Sequence, residues 1–284
     1  MNDLVRLHPR TWRQFRFAYP VISRRARGLS LGLNLNPDTV CNFDCAYCDV
    51  DRRQPPRETE VDEQALLAEL AALLAMARDG AIWQEAPFDR TPPALRRLND
   101  IAFSGDGEPT SYPRFPEVLA AVDALRQRQA PELPLVVITN ATLFHRPAVR
   151  AALLSLALHD EIWAKLDAGS EDWYRRIDRS RIPFARVLGN LRELGRARAL
   201  VIQSLWCRVA GQPPPRHEVA SWVERLAWLQ AEQARIARIQ VYTISRPTAE
   251  PWVAALRDEE LAAIADAARP LGIPVEIFTS GSAD

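Results

Sequence analysis

Apolar and polar positions along the chain repeat as a two-part unit. A short, mostly apolar run is followed by a longer stretch whose apolar residues recur three and four apart, the spacing of one helix face. The run "LSLGLNL" (29–35) is followed by "DEQALLAELAALLAMA" (62–77), and "DIAFSG" (100–105) by "RFPEVLAAVDALRQR" (114–128). "LPLVVITN" (133–140) precedes a helical pattern over 148–158, and "EIWAKLDA" (161–168) one near 184–195. "ALVIQSLW" (199–206) precedes 218–233, "RIQVYTI" (238–244) precedes 258–272, and "IPVEIF" (273–278) follows. Six strand–helix units in strict alternation predict an α/β fold, a parallel sheet with its helices outside. Six units fall short of a closed eight-stranded barrel, so an open, partial (β/α)6 TIM-like barrel is expected. Residues 1–284 read as one domain: an N-terminal extension over 1–28, a barrel core over 29–250, and a C-terminal helix and strand over 251–284. A segment over 80–98, rich in Pro and Trp, reads as an insertion in the first crossover.

Composition narrows the function classes. With 48% hydrophobic and 25% charged residues, 284 residues can build a core without covalent staples, so the four cysteines are not a disulfide framework. Residues 1–20 carry Arg, Asp, His and Gln throughout, which speaks against a signal peptide. No run of about 18 apolar residues is present, so no membrane helix is expected. These features predict a reducing cytoplasm, where clustered thiols mean metal or redox chemistry. A formal net charge of zero offers no overall basic field for nucleic acid. The local clusters "SRRARG", "DRRQPPR" and "YRRIDRSR" read as solvated surface. Lys165 is the only lysine among 36 basic residues.

The chemistry of a parallel barrel gathers where its strands end, and the polar oddities of this chain fall there. "CNFDCAYC" (41–48) follows the first strand and "SGDGEPT" (104–110) the second; "TNAT", "KLD", "QSLWC" and "TISRP" stand at the ends of the next four. Cys41, Cys45 and Cys48 have the spacing C-x3-C-x2-C, with no fourth Cys or His nearby. A structural zinc site takes four ligands in paired hooks. Three thiolates suit a cubane iron–sulfur cluster with one iron left open to bind a substrate or cofactor.

That spacing, with Tyr47 just before the last cysteine, resembles the radical SAM superfamily. The resemblance implies a [4Fe-4S] cluster on Cys41, Cys45 and Cys48 whose open iron chelates S-adenosylmethionine, and one-electron cleavage to methionine and a 5′-deoxyadenosyl radical. It also implies an electron donor such as flavodoxin or ferredoxin. "SGDGEPT" is similar to the glycine-rich stretch of that family: Gly105 and Gly107 would let backbone approach the ligand, and Glu108 would accept from the methionyl ammonium. Its Gly-x-Gly-Glu-Pro-Thr form is most similar to the wyosine-synthase-like branch, which acts on a guanosine of tRNA. That branch carries a second cluster on cysteines upstream, whereas residues 1–40 contain none, so one cluster is expected here.

The remaining candidates each keep two readings. Asn140 is a turn former or a hydrogen-bond partner of the cofactor. Lys165 and Asp167 share a strand face. They are either an ordinary ion pair or, by the family resemblance, groups on the ribose or methionine carboxylate. Of the neighbours Gln203 and Ser204 only one can point inward, and Gln203 is taken as the cofactor-binding one. Arg246 reaches an anion or lies exposed. Cys207 is a hydrogen-atom donor to a radical or a buried apolar filler. The four His show no metal spacing, and Trp206, Trp222 and Trp228 read as core. Two other functions share these features. One is an activase installing a glycyl radical on a partner protein; the other is an RNA-binding iron–sulfur protein without SAM cleavage. The substrate is thus RNA or a protein.

Overall fold

The apolar runs become strands that are covered on both faces. In a computed structural model that describes residues 10–56 and 58–281, β2 (Gly28–Leu33) is buried at every position and β6 (Leu200–Val209) at all but one. Parallel strands read as continuous apolar runs for this reason. Outside the sheet lie α1 (Glu63–Arg78), α2 (Phe115–Gln129), α3 (Pro147–Ser155) and α4 (Glu171–Ile177), then α5 (Phe184–Ala197), α6 (Arg216–Ala231) and α7 (Asp258–Ala268). Leu66, Leu70, Leu73 and Leu74 of α1 show the pattern: one apolar stripe buried against the sheet. The α1 N-terminus is closed by Asp62, which accepts from Ala65 N at 3.0 Å.

The other face of the sheet is covered by its own curl. Ala102, Val136, Trp163 and Val201 form a second apolar cluster, separate from the main core between sheet and helices. The order is β1 (Ala18–Ser23), β2, β3 (Leu98–Phe103), β4 (Leu135–Thr139), β5 (Glu161–Lys165), β6, β7 (Ile236–Thr243), β9 (Val275–Phe278). From β2 through β9 along that order every pairing is parallel. A short β8 (Val253–Ala255) pairs antiparallel with the end of β6. This is the partial (β/α)6 barrel, open along the seam between its edge strands β1 and β9.

Two boundaries differ from expectation. Residues 18–23, assigned to an N-terminal extension, form β1, which pairs antiparallel with β2 and belongs to the sheet. Pro20 lies in that strand. Proline has no N–H to give and is tolerated at a sheet edge, so a residue that interrupts a strand pattern instead marks an edge strand. The C-terminal strand also belongs to the sheet, as β9. Residues 1–9 of the expected extension, and 282–284 of the C-terminal segment, lie outside the described residues. The 80–98 insertion forms three short 3-10 turns that bury Ile82 and Phe88.

The entry to β1 is fixed by one buried carboxylate on α1. Glu69 accepts from the backbone N–H groups of Arg16, Phe17 and Ala18 at 2.9, 2.8 and 2.9 Å. Glu69→Ala leaves these donors without a partner in a dry place, so it should cost about 2–4 kcal/mol in urea unfolding. A loss below about 0.5 kcal/mol would show that water or a backbone shift replaces the carboxylate.

Candidate active site

The segment carrying the three cysteines has no helix or strand of its own, so its shape comes from neighbours. Asp44 N donates to Asp178 O at 3.0 Å and Ala46 N to Ile177 O at 2.7 Å, tying the loop to the end of α4. Cys48 O accepts from Ala249 N at 3.1 Å, which ties it to the segment after β7. Asn42 joins it to the end of β4: its Oδ1 accepts from Asn140 Nδ2 at 2.5 Å and its Nδ2 donates to Thr142 Oγ1 at 2.7 Å. Asn140 Oδ1 accepts in turn from Thr142 N and Oγ1.

Cys41, Cys45 and Cys48 line one cavity of about 270 Å³, which begins at the C-terminal edge of the sheet and runs into the curl. Phe43 N donates to Cys41 Sγ at 3.4 Å and Arg52 Nη1 to Cys48 Sγ at 3.3 Å. Burial pushes the thiols of Cys41 and Cys45 up, Cys45 well above its ordinary value, with Lys165 opposing the shift at Cys45. Among the described residues no three Cys, His, Asp or Glu side chains crowd one point closely enough to hold a single metal ion. A polynuclear cluster, in which each thiolate takes a different iron, is the group that three separate thiols in one cavity fit. The N–H groups and the cation beside the sulfurs also suit a thiolate-bound cluster, whose negative charge they offset.

The 104–110 loop packs against the cysteine segment. A Cβ on Gly105 would lie 2.3 Å from Asn34 Oδ1, and one on Gly107 would lie 2.2 Å from Val40 O. Both glycines line the cavity, but the contacts that forbid a side chain are with the protein's own backbone and Asn34, not with an approaching ligand. Glu108 is 2% exposed and largely used by the protein. Its Oε1 accepts from Thr110 N, Thr110 Oγ1 and Thr139 Oγ1 at 3.2, 2.5 and 2.6 Å, and its Oε2 from Asn140 N at 2.7 Å. Burial raises its carboxyl above the usual value against the pull of those donors. The carboxylate therefore fastens the ends of β3 and β4 together, with Oε2 the less occupied oxygen.

Behind Cys45 lies a buried polar cluster. Tyr47 OH donates to Asp167, Lys165 Nζ donates to Tyr47 OH at 3.1 Å, and the ammonium sits 4.8 Å from the Tyr47 ring centroid. Asp167 Oδ1 accepts from Leu205 N at 2.7 Å, and Cys45 Sγ lies 3.7 Å from Asp178 Oδ1. Burial, then the charge of Asp167, push the Asp178 carboxyl well above its ordinary range. Burial works to lower the Lys165 pKa, but Tyr242, Cys45, Asp167 and Asp178 outweigh it and the ammonium stays charged.

Arg246 reaches the mouth of the cavity, where Asp49 accepts from Arg246 Nη1 at 2.9 Å and from Arg10 Nη2 at 2.7 Å. Burial would raise the Asp49 carboxyl, but the two guanidinium groups hold it well below the usual range. Three expected residues do not line the cavity: Asp167, in the cluster behind Cys45, Gln203 and Cys207. Gln203 faces the interior level with Lys165 but does not line the cavity, its Nε2 donating to Gln240 Oε1 at 2.7 Å and its Oε1 buried without a partner among the described residues. Ser204 faces the helices and accepts from Trp222 Nε1 at 3.0 Å. Cys207 is 1% exposed in the core, with its thiol pushed up to about 12 by burial and then by Asp167 and Asp178. The site also contains Tyr19, Arg24, Arg25, Arg52 and Asp178, which the sequence pattern left unassigned. Arg24, Arg25, Arg52 and Asp178 all fall in the three arginine-rich clusters taken for solvated surface.

The family model described as the Radical SAM superfamily matches residues 35–203, from the end of β2 into β6. The chain belongs to the radical SAM superfamily. Radical SAM enzymes use a [4Fe-4S] cluster and S-adenosylmethionine, and the three thiols, the cavity and the polar strand ends fit that pair. Among curated relatives it is 25% identical to a protein named GTPase Obg of Brachyspira hyodysenteriae, over 85% of this chain and 32% of that one. It is 25% identical to a UPF0026 protein of Helicobacter pylori, over 81% of this chain and 66% of the relative. The chain thus spans about one third to two thirds of the length of these relatives. The fold is shared with a radical SAM methyltransferase from Sphaerobacter thermophilus, at TM-score 0.66 and 14% identity, covering 92% of this chain and 68% of that one. It is also shared with TYW1 carrying a lysine–pyruvate adduct, at TM-score 0.52 and 18% identity, over 86% of this chain and 74% of that one. No described helix is long and apolar enough to cross a membrane.

The fit of the 104–110 loop against the cysteine segment is open to direct test. Gly107→Ala should force Val40 and Asn36 away, because backbone cannot swing aside as a side-chain tip can. Iron bound per chain after reconstitution should fall to half or less, with the circular dichroism of the fold retained. Full iron loading in the variant would show that the two loops are not rigidly seated.

Proposed function

We propose that this protein cleaves S-adenosylmethionine reductively and uses the resulting radical to take a hydrogen atom from a separate substrate. The carrying observation is the convergence of Cys41, Cys45 and Cys48 on one cavity lined by polar strand-end residues. The cluster, when bound, supplies one electron to the sulfonium and releases methionine and a 5′-deoxyadenosyl radical.

The chain's own residues prepare the place. Cys41, Cys45 and Cys48 would hold three irons of the cluster, leaving the fourth without a ligand from this loop. Lys165 and Arg52 lie beside the sulfurs as fixed positive charge. Asp167 orients Tyr47 and, through it, the loop, and we place Lys165, Tyr47 and Asp167 as positioning residues of the cluster. Gly105, Gly107 and Glu108 shape the wall next to it, with the freer Oε2 of Glu108 and the side of Asn140 toward the methionyl group. Arg246, already shared with Asp49, closes the mouth. Gln203 and Cys207, outside the cavity, are given no part in the reaction. An RNA-binding scaffold without cleavage leaves the thiol-lined cavity and its polar strand ends unexplained.

Residues 1–284 act as one domain in this reading, in the cytoplasm, with a small electron-transfer protein such as flavodoxin or ferredoxin as reductant. After anaerobic reconstitution the protein should hold about four irons and four sulfides per chain. Reduction by dithionite with S-adenosylmethionine should then yield 5′-deoxyadenosine by chromatography. Cys41→Ala, Cys45→Ala and Cys48→Ala should each lose the cluster, and Cys207→Ala should keep it. Iron near eight per chain would contradict a single cluster. A fully loaded protein that makes no 5′-deoxyadenosine would sink the proposal.

A further inference from the structure

The open seam of the half-barrel holds two neighbouring guanidinium groups. Arg24 and Arg25 follow β1 directly, line the inner part of the cavity, and take part in no ion pair among the described residues. Arg24 Nη1 donates to Thr279 O, just past β9, and so spans the gap between the two edge strands. Arg25 lies over two aromatic faces, 5.5 Å from the ring centroid of Trp163 and 5.0 Å from that of Tyr242. Cation–π contacts of this kind hold a guanidinium in place, and beyond its hydrogen bond with Tyr242 the remaining N–H donors can meet a planar oxyanion. Trp163 is itself fixed, its Nε1 donating to Glu161 Oε2 at 2.6 Å.

Position separates this pair from the thiols. Trp163 and Lys165 stand two apart on β5 and share its inner face. On its Trp163 side Arg25 therefore reaches one step, roughly 6–7 Å, from Lys165 toward the N-terminal ends of the strands, while Tyr242, paired with Leu205, keeps its other side near the ammonium. Asp100, bonded by Ser30, attracts Arg25 from beyond ion-pair distance. Burial lowers the pKa of both arginines, Arg24 to about 10, with Arg25 and Arg246 adding like-charge repulsion there.

We propose that Arg24 and Arg25 form the substrate's anchoring subsite, taking the carboxylate or phosphate of a small anionic molecule on the Trp163 side of the cavity that the three cysteines line. This rests on the proposed function for its meaning and narrows the substrate from a macromolecule to a small oxyanion. The cavity of about 270 Å³ lies near the lower end of small-molecule sites, roughly 300–1,000 Å³.

Calorimetric titration of the reconstituted protein with inorganic phosphate and with malonate, each with and without S-adenosylmethionine, tests it. At least one anion should bind saturably, and binding should survive saturating S-adenosylmethionine. The stronger of the two tells phosphate from carboxylate. Arg25→Gln and, separately, Arg24→Gln should each weaken that binding tenfold or more. Arg257→Gln, on an exposed side chain at the start of α7, should not. Absence of saturable binding, unchanged affinity in both variants, or displacement by S-adenosylmethionine would overturn the subsite. Titration is independent of cleavage: anion binding without 5′-deoxyadenosine would refute the proposed function alone, and the reverse would refute the subsite alone.

Discussion

Everything at this site depends on how an irregular eight-residue loop is held still. Residues 41–48 form no ladder of their own, so the backbone N–H groups of Asp44 and Ala46 are satisfied by the carbonyls of Asp178 and Ile177 at the end of α4. Gly105 and Gly107 then let the next strand-end loop press against Asn34 and Val40, which enter the cysteine segment. Glu108 draws the ends of β3 and β4 together, and Asn140 passes that constraint to Asn42 within the loop. The thiols are thus placed by three neighbouring strand ends and one helix end, and a change at any of them reaches the sulfurs.

The same loop carries an electrostatic constraint. Cys45 is buried beside Lys165, Asp167, Asp178 and Tyr47, a group that is stable only because every member is bonded. Burial and Asp167 raise the Asp178 carboxyl, and the acidic groups around Lys165 raise its ammonium, so a cation partly offset by Asp167 stands next to the sulfurs. A thiolate-ligated cluster is negative, and the Lys165 ammonium and the Arg52 guanidinium would offset part of that charge.

Much of this was legible along the chain. The strands read as apolar runs because both their faces are buried, and the three-cysteine loop, "SGDGEPT", Asn140, Lys165 and Arg246 stand at strand ends, where a parallel barrel puts its site. What was hidden depends on contacts distant in sequence. Pro20 broke the strand signal of β1, although at an edge it breaks no hydrogen bond. "SRRARG" has the composition of a solvated surface, and only the curl of the sheet lays Arg25 over Trp163 and Tyr242. A glycine excluded by backbone looks the same in sequence as one that admits a ligand, so the contacts of Gly105 and Gly107 needed the fold. Strand alternation placed Gln203 inward, but its turn away from the cavity toward Gln240 on β7 needed the sheet.

The central claim is that three thiolates leave one iron free to take S-adenosylmethionine. Electron paramagnetic resonance of the dithionite-reduced, fully loaded protein, recorded before and after adding S-adenosylmethionine, addresses that iron itself. Direct coordination predicts a shift of the g-values of the reduced cluster on addition of the cofactor. An identical spectrum at saturating S-adenosylmethionine would contradict an open iron at this site.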